Sequence, residues 1–227
     1  MIADRDAAFA FTLGTEGLLS LVNTDGGNYA SGIAGLGPLI GSKYGVSAPA
    51  LVRYLAPVVV TAAVMAAITV ATAEAIFVPG YWSTLRCDDL PAGLDLMVCD
   101  HGYNRGPYPS ARVLQRLCGV DADGWIGNQT IAAATAWATK ATAPGLSAAA
   151  AARLQTRLNL PSDGKIGPNT RAAIQATRLG STMLALCRLA DAQVADYRTL
   201  DLFVIDGNGW MNRVWKRLGA GLALVPT

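Results

Sequence analysis

A pattern of identical residues occurs twice in the second half of the chain, forty positions apart and without a gap. Each copy has a Leu-Gln pair, an Asp-Gly pair, an Ile, a Gly, and a Thr that precedes two Ala residues. The Asp-Gly pair forms a tight turn that needs a positive φ, and the Ile fills the space between two helices. The repeat therefore predicts two helix–turn–helix units, whose second helices begin near Thr130 and Thr170. Pro144-Gly145 separates the units, and Ser147 is expected to cap the next helix.

The composition predicts a folded, mainly α protein. Apolar residues make up 52% of the chain and charged residues 15%, which excludes intrinsic disorder. Alanine, the best helix former, is abundant, and strand-like alternation is scarce. The net charge is +2, and no dense Lys/Arg run is present, so no nucleic-acid partner is expected. The slight basic excess suits an anionic cell wall.

Turn-forming residues divide the rest of the chain. Residues 4–16 predict a first helix that ends at Gly17. Residues 17–47 are rich in Gly, Asn, Asp and Ser, which predicts a small irregular lobe. Residues 48–78 are apolar and helical in pattern. Later helices are predicted at 94–103, at 181–197, and as a short last helix opening at 209–215.

The segment from Ala56 to Ala73 is uncharged and almost long enough to span a thin membrane. It is rich in Ala rather than Leu, and Ala adds little to membrane insertion. A buried Ala-rich helix, or two helices broken near Thr69, is therefore the preferred interpretation. We expect no stable membrane insertion and a monomeric protein.

The cysteines and the single histidine do not form a metal site by their spacing. No two of the four cysteines form a C-x-x-C pair; they are Cys87, Cys99, Cys118 and Cys187. We expect buried free thiols, although pairing is left open. His101 is interpreted as structural, because Cys99 and His101 are two apart and rarely face each other on a helix. Neither a metal nor an organic cofactor is implied.

Two carboxylates near the N-terminus carry the chemical signal. Glu16 ends the first helix, Asp25 follows nine residues later in the Gly-rich lobe, and Ser31 lies six residues beyond Asp25. Cleavage of a glycosidic bond needs one carboxyl that stays protonated and one that stays ionised. A Glu on an apolar helix is expected to favour its protonated form through desolvation. A loop Asp among amides and water stays ionised.

The spacing resembles that of the phage-type lysozymes, which have Glu-Gly, an Asp, and a Thr before Gly-Ile. In that family the Glu is the general acid, and the Asp and Thr position the attacking water. The resemblance gives these roles to Glu16, Asp25 and Ser31, with Ser31 in place of the Thr.

Over nearly its whole length the chain resembles glycoside hydrolase family 108. The motifs that carry this resemblance are Glu16-Gly17, Asp25-Gly26-Gly27, Gly32-Ile33, Tyr81-Trp82, Leu90-Pro91-Ala92-Gly93, Asp100, Asn104-Arg105-Gly106, Leu114-Gln115, Asp123-Gly124, Ile126-Gly127, Thr130 and Gly209-Trp210-Met211-Asn212-Arg213-Val214. The family usually has Glu-Gly-Gly-Tyr where this chain has Leu18-Leu19 after Glu16-Gly17, and a Thr at the position of Tyr29.

The resemblance implies a lysozyme-like helical fold with a small Gly-rich lobe, plus a helical peptidoglycan-binding-like C-terminal part. It implies a catalytic part at 1–90 and the second part at 91–227, with the second repeat unit at about 147–178. The implied activity is that of an endolysin-type muramidase, which cleaves the β-1,4 bond between N-acetylmuramic acid and N-acetylglucosamine in bacterial peptidoglycan.

Further assignments follow with their alternatives. Tyr29 is a candidate to line a sugar subsite or only to pack, and Asn104 is a substrate contact or a helix stop. Asp123 and Asp163 are turn formers rather than catalytic groups. The Trp residues are each expected in the core or at a domain interface rather than stacked on sugars. A non-catalytic wall-binding or virion protein, and a lytic transglycosylase, are the alternative functions.

The N-terminal sequence is charged and lacks a secretory pattern. We therefore expect synthesis in the bacterial cytoplasm without a signal peptide. Action on the cell wall would follow release through a pore or a secretion route, or would occur as part of a virion.

Overall fold

The computed structural model describes residues 2–226, without the side chains of residues 2, 3 and 205. Within that range the chain forms α-helices and isolated β-bridges but no extended strand, which confirms the mainly α prediction. The helices are α1 (Ile2–Thr15), α2 (Ala48–Leu55), α3 (Ala62–Ala67), α4 (Val70–Phe77), α5 (Leu94–Arg105), α6 (Pro107–Cys118), α7 (Asn128–Ala138), α8 (Ala148–Arg157), α9 (Pro168–Ala176), α10 (Gly180–Tyr197) and α11 (Phe203–Leu224).

The chain divides into two compact units. One comprises Phe9–Ser83, and the other comprises Met1–Ala8 together with Thr84–Thr227. The structural division thus falls after Ser83. The expected division after residue 90 separates two functions, a catalytic part and a peptidoglycan-binding-like part, and it stays a prediction.

The core of the Phe9–Ser83 unit is one cluster of buried apolar residues from the lobe and from α2, α3 and α4. It includes Ile40, Leu51 and Met65. The uncharged run from Ala56 to Ala73 is not one helix. Thr61 caps α3 by accepting the N–H of Val64, and Thr69 forms a capping box with Thr72 at the start of α4. Of the two preferred interpretations, two helices broken near Thr69 is confirmed, and one buried Ala-rich helix is wrong.

Among the described residues no helix combines the length and the apolar character needed to cross a membrane. The lobe of residues 17–47 is irregular, as predicted. Its backbone is held by single bridges between Ser20 and Ser42, Tyr29 and Leu39, and Lys43 and Val46.

The unit containing Thr84–Thr227 is built around α5, in which every residue from Leu94 to Tyr103 is buried. Helices α6, α10 and α11 pack on it. The prediction of a short last helix opening at Gly209 is wrong, because α11 begins at Phe203 and has 22 residues. Gly207 and Gly209 each cost about 1 kcal/mol inside a helix. Burial of the apolar face outweighs that cost, since Val214, Leu218 and Leu222 are almost fully buried.

Both repeat units fold as predicted, and their polar interiors are duplicates. Gln115 Nε2 lies 2.8 Å from Asp123 Oδ1, 2.9 Å from Trp125 O and 3.3 Å from Thr130 Oγ1. The Gly124 N–H donates to Gln115 Oε1 at 2.9 Å. In the second unit the corresponding distances from Gln155 Nε2 to Asp163, Lys165 and Thr170 are 2.7, 3.0 and 3.2 Å, and Gly164 N lies 2.9 Å from Gln155 Oε1.

The duplicated network confirms Asp123 and Asp163 as turn formers. In each unit the aspartate accepts the backbone N–H two residues later, from Trp125 or Lys165. Hydrogen bonds favour the ionised form and lower the pKa of both aspartates, chiefly those from Trp125 N–H and Gln115 at Asp123, and those from Gln155 and Lys165 N–H at Asp163. Ser147 caps α8 by accepting the Ala150 N–H, also as predicted.

The expectation of buried cysteine thiols and the expectation of buried Trp side chains have different outcomes. All four cysteines are free thiols, and Cys118 alone is not fully buried. Trp82 lies in the core, with 1% of its surface exposed. The expectation of burial is wrong for Trp125, which is 61% exposed. Trp125 contributes its backbone to the turn of the first repeat, and nothing in that turn requires its side chain to be covered.

Candidate functional site

Glu16 lies at the junction between α1 and the lobe. Helix α1 ends at Thr15, and the Glu16 N–H donates to Leu13 O at 3.2 Å, which closes the last turn. The side chain is half-buried. The next residue, Gly17, accepts a hydrogen bond from the Tyr44 N–H at 3.3 Å. The far end of the lobe therefore returns to the chain directly after Glu16.

Asp25 is exposed and caps a turn. Its Oδ1 accepts the Gly27 N–H at 2.8 Å and begins a short 3-10 helix, Gly26–Asn28. Among the described residues only Oδ1 has a hydrogen-bond partner, so Oδ2 faces solvent. Capping fixes the orientation of the carboxylate and keeps its second oxygen available to orient a water molecule.

The Asp25 turn packs on the segment that carries Ser31. A Cβ on Gly26 would lie 2.6 Å from Gly32 O, so only glycine fits at this close approach. The structure therefore brings the backbones next to Asp25 and next to Ser31 together. Ser31 Oγ donates to Leu36 O at 2.6 Å and accepts the Ile33 N–H at 3.1 Å. Because its proton is used within the turn, the hydroxyl can offer a water molecule only an acceptor.

Tyr29 and Asn28 hold the lobe together from inside. Tyr29 is 8% exposed, and its hydroxyl donates to Asn23 O at 3.0 Å. Of its two expected roles the structure shows packing, and the sugar contact stays a prediction. Asn28 was missed by sequence reasoning although it follows the Asp25-Gly26-Gly27 motif. It is fully buried, and its Nδ2 donates to Val22 O at 2.9 Å.

Asn104 belongs to the other compact unit, where it is exposed at the end of α5. Its Oδ1 accepts a hydrogen bond from the Tyr197 hydroxyl at 2.7 Å. Gly106, two residues after Asn104, ends the helix with φ +99°. Among the described residues, no group accepts a hydrogen bond from the amide nitrogen of Asn104. A substrate contact through that nitrogen stays a prediction.

Buried charges in the same unit explain another part of the sequence pattern. Asp100 on α5 accepts hydrogen bonds from Arg213 at 2.7 and 3.0 Å and from Arg217 at 2.6 Å. Although burial opposes ionisation, the two guanidinium groups hold the pKa of Asp100 well below its usual range. Asp100 and Arg213, which lie in two separated motifs of the chain, therefore form one structural ion pair.

His101 lies beside this ion pair and is structural, as expected. It is fully buried, and its ring meets Tyr197 edge-to-face at 5.1 Å. Its Nε2 lies 3.5 Å from Asp196 Oδ2, too far for a good hydrogen bond. Burial lowers the pKa of His101 to about 4, so the ring is neutral at pH 7.

Most glycoside hydrolases use a pair of Asp or Glu carboxyl groups, and Glu16 and Asp25 both lie in the Phe9–Ser83 unit. The sequence model of the family described as Glycosyl hydrolase 108 matches residues 9–106. This segment contains every candidate site residue named above, from Glu16 to Asn104. Residues 9–106 thus match glycoside hydrolase family 108, as the resemblance implied, and this match supports a peptidoglycan-degrading glycosidase.

The fold is shared with a solved structure. The chain is similar to SagA of Brucella abortus, with a TM-score of 0.69 and 23% sequence identity. The similarity covers 99% of this chain and 97% of that chain. It confirms the predicted fold class from end to end. No curated protein sequence matches the chain significantly.

Proposed function

We propose that the protein is an endolysin-type N-acetylmuramidase. It hydrolyses the β-1,4 bond between N-acetylmuramic acid and N-acetylglucosamine after it has reached the cell wall. The position of Glu16 carries this proposal. It is half-buried at the end of α1, and it directly precedes the lobe that presents Asp25.

In the proposed mechanism Glu16 is the general acid. It donates its proton to the oxygen of the leaving sugar while positive charge develops on the sugar ring that is cleaved. Asp25 accepts a proton from the attacking water through Oδ2, because Oδ1 is held by the Gly27 N–H. Ser31 Oγ supports the same water as an acceptor. A water between two carboxyl groups about 6.5–9.5 Å apart gives inversion at the anomeric carbon.

The chain offers a matched pair of variants to test the role of Glu16. Glu16 and Glu74 are its only glutamates, and both lie half-buried in the Phe9–Ser83 unit. Glu16→Gln removes the proton donor but keeps the shape, so lysis of purified peptidoglycan should be lost. Glu74→Gln makes the same chemical change in α4 and should remain lytic. Lysis by the Glu16→Gln variant would refute the assignment.

The products distinguish the proposed bond and reaction from their alternatives. Mass spectrometry of the released muropeptides should show reducing-end N-acetylmuramic acid. Anhydro-muramic ends would indicate a lytic transglycosylase, and reducing-end N-acetylglucosamine would indicate cleavage of the other glycosidic bond. Cleaved stem peptides would contradict a glycosidase altogether.

A further inference from the structure

The backbone directly after the candidate general acid is held at two points by residues 42–44, the returning end of the lobe. The Tyr44 N–H donates to Gly17 O at 3.3 Å. A pair of backbone hydrogen bonds, at 2.8 and 3.0 Å, joins Ser20 to Ser42. The direction in which the chain leaves α1, and with it the side chain of the acid, therefore depends on the returning end of the lobe.

Tyr44 has a backbone conformation that a residue other than glycine rarely adopts. Its φ is +54°, in the left-handed region. Such a conformation is unfavourable for a Tyr, and it persists only where the surrounding structure imposes it. Residues held in this way cluster at sites where a functional group must be placed accurately. The returning end of the lobe therefore needs an anchor outside its own turn.

The side chain of Lys43 is that anchor. Its Nζ donates to Ala66 O at 2.6 Å and to Ile68 O at 2.9 Å. Both carbonyls lie at the end of α3, where a helix leaves its last oxygen atoms without partners inside the helix. The ammonium also lies 5.0 Å from the centre of the Tyr44 ring. One side chain thus joins the returning end of the lobe to a helix end 23 to 25 residues further along the chain.

The use of the Lys43 ammonium indicates a role in holding backbone. Lys43 and Arg53 are the only Lys or Arg residues in the sequence from 9 to 83. Arg53 is exposed, as expected of a cation that meets solvent or an anionic polymer. Lys43 instead directs N–H groups, of which an ammonium has three, to two backbone carbonyls of its own unit.

We infer that Lys43 is a positioning residue for Glu16. It fastens the returning end of the lobe to α3, and the lobe fixes the backbone that follows Glu16. The proton donor is thereby held in a constant place relative to the oxygen of the leaving sugar. A misplacement of about 1 Å in a catalytic group can cost about a hundredfold in rate. This catalytic purpose rests on the proposed function of Glu16.

The test compares Lys43→Met with Arg53→Met, which removes the other cation of the same unit. Hydrolysis of soluble, uncrosslinked glycan strands gives kcat and KM. Lys43→Met should lower kcat at least about tenfold and leave KM within about twofold, because the groups that contact substrate are unchanged. Lys43→Arg can still donate to two carbonyls and should restore most of kcat. Arg53→Met should change neither constant more than about twofold.

Amide hydrogen exchange reports the anchor without any reaction. In Lys43→Met the N–H groups of Ser20, Ser42 and Tyr44 should exchange at least about tenfold faster than in the parent chain. In Arg53→Met their exchange should be unchanged. Circular dichroism serves as the fold check. If Lys43→Met does not fold, Lys43→Gln, which keeps an N–H donor on a shorter side chain, takes its place with the same expectations.

The kinetic constants and the exchange rates separate the possible failures. Unchanged kcat or unchanged exchange in the folded Lys43 variant would overturn the positioning role. A rise in KM with kcat unchanged, or an equal loss in Arg53→Met, would overturn it too, because a contact with substrate or a general charge effect would then explain the result. If Glu16→Gln still lyses sacculi while exchange rises in Lys43→Met, the proposed function fails and the anchor stands. If Glu16→Gln is inactive and Lys43→Met keeps full kcat, the positioning role is wrong and the muramidase stands.

Discussion

Replacing Asp95 by Asn should stabilise the protein at neutral pH and reveal an acid-sensitive histidine. Asp95 lies at the start of α5 with 1% of its surface exposed. Its Oδ1 accepts the N–H groups of Gly93 and Leu96 at 2.8 and 2.7 Å. Desolvation outweighs these hydrogen bonds and, with the nearby charge of Asp4, raises the pKa of Asp95 from 3.8 to about 6.

The sign of the pH dependence follows from that shift. Because the folded protein holds the Asp95 proton more tightly than the unfolded chain, this residue lowers the stability as pH rises from about 4 to about 6. The difference between the two pKa values corresponds to about 3 kcal/mol. His101 acts in the opposite direction. Burial lowers its pKa from 6.5 to about 4, so its contribution increases stability over nearly the same range, again by about 3 kcal/mol.

The contributions of Asp95 and His101 to the free energy of unfolding should therefore nearly cancel between pH 4 and 6. Asp95→Asn keeps an oxygen acceptor for both N–H groups but cannot ionise. At pH 4 the variant should match the wild type. At pH 7 it should be more stable by about 3 kcal/mol, and its stability should rise more steeply with pH than that of the wild type, because the contribution of His101 is no longer offset by Asp95.

Urea unfolding at intervals from pH 4 to 7, followed by tryptophan fluorescence, measures this. Of the five tryptophans, all but Trp82 lie in the unit that contains α5. Asp201→Asn, at an exposed position, is the control and should shift stability by no more than about 0.5 kcal/mol. Parallel curves for Asp95→Asn and wild type, or a variant that is less stable at pH 7, would refute the reasoning.

Three further outcomes are expected. Arg217→Met leaves buried Asp100 with one guanidinium and should cost about 3–5 kcal/mol of unfolding free energy in urea titrations; a smaller loss would mean that water reaches the carboxylate. Gly93→Ala places a Cβ 2.5 Å from Gly221 O at φ +84°, so it should lower the thermal midpoint far more than Gly119→Ala, which has open space and should cost about 1–2 kcal/mol. Partial burial raises the pKa of Cys118 to about 11, so a thiol reagent at pH 8 should modify it about a hundredfold more slowly than in the unfolded chain; equal rates would contradict this.

Local turn chemistry made the repeat units predictable. The Asp-Gly turns and the Ser147 cap are decided by neighbours within a few residues, and the structure has them where the sequence indicates. The break at Thr69 has the same origin, because a Thr hydroxyl caps the next helix. Such features depend on short-range hydrogen bonds, so a single sequence is enough to place them.

Long-range contacts set the limits of prediction. Gly207 and Gly209 indicate a break by propensity, but burial of the α11 face keeps the helix intact. The exposure of Trp125 was missed because an isolated Trp is usually buried. At the candidate site the sequence predicts a carboxylate in a turn. It does not show that Asp25 commits one oxygen to Gly27 and keeps the other for solvent.

The ion pairs between α5 and α11 determine when the chain can fold during its synthesis. The carboxylate of Asp100 can form its ion pairs only after Arg213 and Arg217 have been synthesised, because these residues lie 113 and 117 positions further along the chain. A nascent chain that stops before α11 carries an uncompensated carboxylate in its centre. Truncation before α11 should therefore yield a product that proteases remove, rather than a shorter working enzyme.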